Sequence, residues 1–230
     1  MGREGVTMTV KLFISAITKF LLGVVLVGLL LFLTAGTFDW LGGWLFMAIL
    51  FVPMFGAGIV MMIKNPRLLA SRLDAKENRR KQDIVVKLSG LMFLCGFIVA
   101  GLGVRFEWYT LPMPVCIVGA VLFIIAYLLY AEVLRENTYL SRTIEVQEGQ
   151  KVIDTGLYGI VRHPMYSATL LLFLSMPIVL GSVWAFLIFF AYPFIIAARI
   201  KDEEKFLEEE LEGYCEYKKK VKYRLIPFVW

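Results

Sequence analysis

Metal-binding and crosslinking side chains are scarce in this chain. The sequence contains one histidine and three cysteines, and the cysteines stand far apart, at positions 95, 116 and 215. A zinc site draws on several histidine or cysteine ligands, and a disulfide framework needs cysteines in pairs. We therefore expect no metal centre and no disulfide-stabilised fold.

Several sequence motifs for soluble enzymes are also missing. No GxGxxG opens a helix after a strand, which argues against a Rossmann nucleotide site, and there is no P-loop, Ser-His-Asp order or Cys-His pair. The net charge is +5, but the basic residues lie in short connections between apolar runs. This distribution is typical of membrane topology, so we expect no nucleic-acid partner.

What the sequence does contain is long apolar runs. Hydrophobic residues make up 59% of the 230 positions, and several runs approach the roughly 20 residues that cross a bilayer as a helix. Backbone groups in lipid must be satisfied within the segment, and the alternating pattern of a membrane barrel is absent. The predicted fold class is an all-α integral membrane protein with five to six transmembrane helices.

The apolar runs divide the chain into two regions. A short amphipathic lead-in and four spans form an N-terminal four-helix transmembrane region, 1–131, with spans at 20–36, 41–63, 84–104 and 110–131. The run at 166–200 is too long for one straight crossing at about 1.5 Å per residue. Because Pro177 and Gly181 fall near its middle, we predict a helical hairpin, 166–180 and 183–200, with one long tilted helix as the alternative.

A charged amphipathic helix is predicted at 201–222, after the hairpin. Its start is rich in glutamate and its end in lysine, an order that complements the helix dipole. Only one basic residue, Arg105, falls in a connection on the side opposite the basic loops. By the positive-inside rule we expect a multi-pass protein whose N-terminal and C-terminal polar segments are cytoplasmic.

Functional side chains concentrate where the polar segment 132–165 meets the hairpin. His163 stands between Arg162 and Pro164, and Tyr158 and Tyr166 flank it. The aromatic residues are compatible with an interfacial belt and with π faces for a sulfonium or ammonium cation. The histidine is compatible with an interfacial residue whose hydrogen bonds are made within the protein, and with a contact to a ligand's polar end.

Arg199 lies at the end of the last apolar run, four residues before Glu203. It is compatible with an arginine snorkelling to the interface and with a clamp for a carboxylate or phosphate. Arg199 and Glu203 share a helix face at this spacing and are placed to pair. Together the two polar segments suit a polar cofactor that meets a lipophilic substrate.

The same residues carry a family resemblance. The stretches Gly156-Leu157-Tyr158 and Val161-Arg162-His163-Pro164, with Tyr166, resemble the isoprenylcysteine carboxyl methyltransferases, within the membrane-embedded phospholipid and isoprenylcysteine methyltransferases. The resemblance covers about 132–230 and continues through Arg199, Glu203-Glu204, Leu207, Gly213, Tyr214, Tyr217, Val221, Arg224 and Pro227, and upstream through Asn137, Ser141-Arg142 and Gln147.

The resemblance implies an S-adenosylmethionine-dependent methyltransferase whose cofactor-binding region is 132–230. By position, the implied cofactor-binding residues are Gln147, Gln150, Lys151, Val152, Ile153, Tyr158, His163, Pro164, Met165, Tyr166 and Glu203, while Arg199 is implied to orient the acceptor. The expected partners are membrane lipid and a lipophilic or lipidated substrate. Carboxyl O-methylation of isoprenylcysteine is the implied reaction, and a lipid amine, a thiol or another lipophilic acid stays open as the acceptor.

Two other functions remain as alternatives. Membrane sterol-type reductases that use NADPH share a similar Arg-His-Pro and C-terminal pattern, although they usually have more spans than this chain offers. In a non-enzymatic transporter or scaffold, the polar clusters would serve only as interfacial anchors. We see neither the inverted repeat nor the several buried carboxylates that are typical of a carrier.

Overall fold

The computed structural model describes residues 3–73, 80–137, 139, 146 and 149–230, with side chains from Val10 onward except 71 and 80–82. Nine α-helices occur in these ranges: α1 Arg3–Gly28, α2 Leu41–Lys64, α3 Pro66–Leu73, α4 Arg80–Arg105, α5 Met113–Glu136, α6 Pro164–Val179, α7 Val183–Phe189, α8 Tyr192–Glu210 and α9 Tyr214–Lys220. A π-helical turn, Leu29–Leu33, extends α1. Within these ranges the only β pairing is a single bridge between Thr110 and Ser182.

The predicted membrane fold is confirmed. Five segments of the described chain are long and apolar enough to cross a bilayer: Val10–Leu33, Leu41–Lys64, Asp83–Arg105, Met113–Glu136 and Val183–Glu210. The last combines α7 and α8, which two turn residues separate, and α6 is a shorter apolar helix. The lead-in and first span, predicted as separate elements, form one continuous helix. The orientation of the termini stays a prediction.

The helical hairpin forms where proline and glycine predicted it. Gly181 adopts a left-handed φ of +70° between α6 and α7, a conformation that glycine reaches without a steric penalty. Ser182 caps α7, since its Oγ accepts a hydrogen bond from the Ala185 backbone N–H at 3.2 Å. The Leu111 N–H donates to the Gly181 carbonyl at 2.9 Å, which ties the turn to the link before α5. The alternative of one long tilted helix is wrong.

Aromatic side chains fill the core of the bundle. Phe46 of α2 contacts Phe97 of α4 and Phe123 of α5, with ring centroids 5.5 and 6.0 Å apart, and Phe97 reaches Phe189 of α7 at 5.8 Å. Gly119 lets α5 approach α6 closely, because a Cβ there would lie 2.7 Å from Ile178 Cγ2. This core contains residues from both sides of the division at residue 131, which remains a prediction.

The predicted charged helix at 201–222 is interrupted. α8 ends at Glu210, and Gly213 takes a φ of +83° before α9 begins at Tyr214. A left-handed residue cannot continue a right-handed helix, so the chain turns there. Apolar residues at helical spacing in this segment nevertheless pack together, since Leu211, Tyr214 and Val221 share one buried cluster.

Candidate active site

A short 3₁₀ turn, Gly156–Gly159, positions Tyr158 against the end of α5. The Glu136 carboxylate accepts from the Leu157 backbone N–H at 3.0 Å, and Asn137 Nδ2 donates to the Tyr158 hydroxyl at 3.0 Å. Burial raises the pKa of Tyr158 to about 12, so the phenol stays protonated over the physiological range. The polar end of α5 therefore fixes one wall of the site.

Replacing Gly156 by alanine is expected to destabilise this turn. Gly156 has a φ of +51°, and a Cβ would lie 1.5 Å from Glu136 Oε1, so the carboxylate would be displaced from the Leu157 N–H. We expect a loss of roughly 1–3 kcal/mol, measured as a lower midpoint in thermal denaturation of the detergent-solubilised protein. Gly149→Ala is the control, because Gly149 also has a positive φ but a Cβ there meets nothing within 4 Å.

The backbone at the start of α6 pairs with the C-terminal segment. The Arg162 and His163 N–H groups donate to the carbonyls of Tyr223 and Arg224, both at 2.9 Å. Pro164 then begins the helix, a position where its missing N–H costs no hydrogen bond. These contacts hold the Arg-His-Pro sequence between α8 and the end of the chain.

Glu204 is the buried centre of this arrangement. Its carboxylate accepts from Arg162 Nε at 2.7 Å and from Arg224 Nε at 2.8 Å, and it lies 3.3 Å from His163 Nε2. The residue is 2% exposed. Arg162 also donates through Nη1 to the carbonyls of Val221 and Lys222. Two guanidinium groups thus neutralise one buried carboxylate, as an ion removed from water requires.

A second network of hydrogen bonds joins α6 to α8. Arg199 Nε donates to the Tyr166 hydroxyl at 2.8 Å, and that hydroxyl donates to Glu203 Oε2 at 2.5 Å. Arg199 is 8% exposed, so its side chain does not reach out to solvent as a snorkelling arginine would. Arg199 and Glu203, placed to pair directly by their spacing, are instead bridged by Tyr166.

One cleft lies between these elements. About 830 Å³ of space lies between its walls, including space open to solvent. The residues lining it are Asn137, Tyr139, Gln150, Lys151, Val152, Ile153, Tyr158, Arg162, His163, Met165, Tyr166, Arg199, Glu203, Leu207, Leu211, Tyr214 and Tyr217. In the described ranges no group of three metal-ligating side chains occurs.

Most of the predicted site residues meet in this cleft. Gln150, Lys151, Val152, Ile153, Tyr158, His163, Met165, Tyr166, Glu203 and Arg199 all line it. Pro164 is buried at the start of α6 and is not part of the lining. Gln147 lies outside the described residues. The cofactor and acceptor roles of these residues remain predictions.

Several residues in or behind the cleft wall had no predicted role. Arg162 and Glu204 organise the site through a buried ion pair, and Leu211, Tyr214 and Tyr217 form its far wall. The helical stripe of Leu207, Leu211 and Tyr214 was the available signal for that wall. Nothing in the sequence distinguishes Glu204 from the neighbouring Glu203.

A family model for phospholipid methyltransferases matches residues 115–212. The match runs from α5 to just past the end of α8, so it contains the Arg-His-Pro stretch, the Arg199–Tyr166–Glu203 network and Glu204 with its partners Arg162 and His163, but not Arg224. The match supports the class that the sequence motif predicted, a membrane-embedded methyltransferase.

The fold resembles one solved methyltransferase structure over nearly the whole chain. A eukaryotic intramembrane Ras methyltransferase, isoprenylcysteine carboxyl methyltransferase, aligns with a TM-score of 0.51 at 17% identity, covering 97% of this chain and 86% of that chain. At this identity the likeness establishes the fold. The predicted resemblance to isoprenylcysteine methyltransferases is thereby confirmed as an architecture.

Curated sequence relatives include two sterol reductases. The Delta(14)-sterol reductase TM7SF2 of Mus musculus is 26% identical over 134 residues, 52% of this chain and 32% of the reductase. The Delta(14)-sterol reductase of Arabidopsis thaliana is 24% identical over 167 residues, 64% of this chain and 45% of the reductase. The chain therefore spans between a third and a half of the length of these relatives.

Proposed function

We propose that the protein is an S-adenosylmethionine-dependent methyltransferase that acts on a lipophilic acceptor in the membrane. One observation carries the proposal: a single cleft collects side chains from 150–153, the 3₁₀ turn, the start of α6 and the end of α8. These are the stretches to which the family resemblance assigns cofactor and acceptor. The phospholipid methyltransferase match adds support from an independent comparison.

The chemistry of the lining fits this cofactor. Tyr158 lines the cleft with an aromatic ring, and such rings attract cations, whereas the Tyr166 ring already contacts Arg199 and His163. Glu203 offers a carboxylate that accepts hydrogen bonds from ammonium or hydroxyl groups. When bound, the cofactor supplies an electrophilic methyl group on a sulfonium sulfur. Apolar side chains such as Met165 and Leu207 line the cleft beside these polar groups, and such a lining strengthens electrostatic contacts once a ligand displaces water.

We assign binding of the methyl acceptor to Arg199. Its guanidinium lies in the cleft wall, held by the Tyr166 hydroxyl, and guanidinium groups bind carboxylates with two parallel hydrogen bonds. A carboxylate nucleophile carries no proton on its attacking oxygen, so the chain needs to supply binding and orientation rather than a base. Carboxyl O-methylation of an isoprenylcysteine-like acceptor is the reaction that this geometry supports best.

The sterol reductases support a second candidate, an NADPH-dependent reductase, because they match part of the same chain at low identity. Calorimetric titration of the detergent-solubilised protein with S-adenosylhomocysteine, and with NADPH in parallel, separates the two. We expect saturable binding of S-adenosylhomocysteine alone. Binding of NADPH alone would assign the chain to the reductases, and a folded protein that bound neither would favour a non-enzymatic role.

Replacing Glu203 by glutamine is expected to weaken S-adenosylhomocysteine binding. A hydrogen bond to a charged group contributes about 1.5–3 kcal/mol, so the dissociation constant should rise roughly tenfold or more. Glu209→Gln is the matched control, since Glu209 is an exposed residue of the same helix and lies outside the cleft lining. Equal affinity in the two variants would remove Glu203 from the cofactor site.

A further inference from the structure

Tyr214 carries a buried hydroxyl that has no hydrogen-bond partner among the described residues. The residue begins α9, is 4% exposed and lines the cleft. Buried side-chain polar atoms are nearly always paired. Tyr214 has no predicted role, and a ligand in the cleft would supply the missing partner.

The neighbouring tyrosine provides a comparison within the same helix. The rings of Tyr214 and Tyr217 lie 5.8 Å apart, and both residues are buried in the same apolar cluster. The Tyr217 hydroxyl donates to the Tyr158 carbonyl at 2.7 Å. The fold therefore uses one of these two phenols, and the hydroxyl of the other stays unpaired within the described part of the chain.

The Tyr214 hydroxyl acts as a donor. Burial raises the pKa of this phenol far above its usual range, and the nearby carboxylates of Glu204 and Glu203 raise it further, while Arg162 lowers it. The proton is therefore retained. Two arginines already neutralise Glu204, whereas Tyr214 and Glu203 both line the cleft, so the cleft offers a hydrogen-bond donor and a charged acceptor.

We infer that Tyr214 binds the carboxylate of the cofactor's amino-acid tail, and this inference rests on the proposed function. The tail is a zwitterion, and it is the part of the cofactor that needs both a donor for its carboxylate and an acceptor for its ammonium group. Tyr214 supplies the donor and Glu203 supplies the acceptor. The adenosine portion is uncharged and needs no such pair.

The test compares two ligands and two variants by calorimetry. Tyr214→Phe should weaken S-adenosylhomocysteine binding about tenfold or more, as expected for a hydrogen bond to a charged group. It should leave the affinity for 5′-methylthioadenosine, which lacks the tail, within about twofold. The ligand-free variant should melt no lower than the wild-type protein, since only an unpaired hydroxyl is lost. Tyr217→Phe should melt roughly 2–4 °C lower, because the Tyr158 carbonyl loses its donor.

Three results would overturn the inference and leave the proposed function in place. Unchanged S-adenosylhomocysteine affinity in Tyr214→Phe would remove the hydroxyl from the site. Equal weakening of both ligands would show that the hydroxyl does not act on the tail. A lower melting temperature for ligand-free Tyr214→Phe would mean that the fold already uses the hydroxyl. Absence of S-adenosylhomocysteine binding to the wild-type protein would instead overturn the proposed function, and this inference with it.

Discussion

Replacing Glu204 by glutamine is expected to destabilise the protein by about 3–5 kcal/mol, the usual cost of removing one partner from a buried ion pair. The side chain of Glu204 is 3% exposed and faces Arg162, Arg224 and His163. Glutamine would leave two guanidinium groups without a counter-charge. Thermal denaturation should show a midpoint lower by roughly 6 °C or more, and S-adenosylhomocysteine binding should weaken because Arg162 and His163 line the cleft.

A surface glutamate on the same helix provides the control. Glu208 pairs with Lys218, and both side chains are about one-third exposed, so this pair contributes at most about 1 kcal/mol. Glu208→Gln should therefore melt within a few degrees of the wild-type protein. If Glu204→Gln melted as high as this control, the Glu204 cluster would not be the structural centre of the site.

Replacing Arg199 by alanine is expected to lower kcat/KM at least a hundredfold for an anionic lipophilic acceptor such as N-acetyl-S-farnesylcysteine. The loss corresponds to about 2.7 kcal/mol, within the range for hydrogen bonds to a charged group. The affinity for S-adenosylhomocysteine should change by less than about threefold, since the hydrogen bond from Tyr166 to Glu203 does not involve Arg199. Radiolabelled methyl transfer measures the first quantity and calorimetry the second.

A lysine at position 199 distinguishes the contribution of positive charge to acceptor binding from that of the planar guanidinium. Arg199→Lys keeps a positive charge but lacks the planar fork that binds a carboxylate through two bonds, so we expect an intermediate loss of turnover. Turnover equal to that of the wild-type protein in Arg199→Ala would return Arg199 to a purely structural role. A parallel loss of S-adenosylhomocysteine affinity would show that it supports the cleft rather than the acceptor.

The membrane fold could be predicted because its signals are local. Apolar runs of the right length specify spanning helices, and the link between the first two spans is too short for any arrangement other than a hairpin. Pro177 and Gly181 placed the second hairpin correctly. The break at Gly213 was missed because the charge order on either side, glutamate first and lysine last, is what one uninterrupted helix would also have.

The residues of the site could be predicted from the sequence, but the hydrogen bonds between them could not. Glu203 and Glu204 are adjacent, so their side chains leave the helix about 100° apart. One reaches Tyr166 and the other reaches Arg162 and Arg224. The sequence contains no information on which direction faces which partner. The same reason explains why Arg199 and Glu203, four residues apart, meet through a hydroxyl from another helix instead of directly.

The length of α6 has a consequence for how the protein meets its membrane. Its 16 residues rise only about 24 Å, and its far end is tied to the link at Leu111. The hydrocarbon interior is roughly 30 Å thick, so α6 on its own is about 6 Å too short to cross it. A helix of this length in the bilayer requires local thinning of the lipid or flanking residues that complete the crossing. Because the cleft lies at the start of α6, bilayer thickness becomes a variable that acts directly on the site.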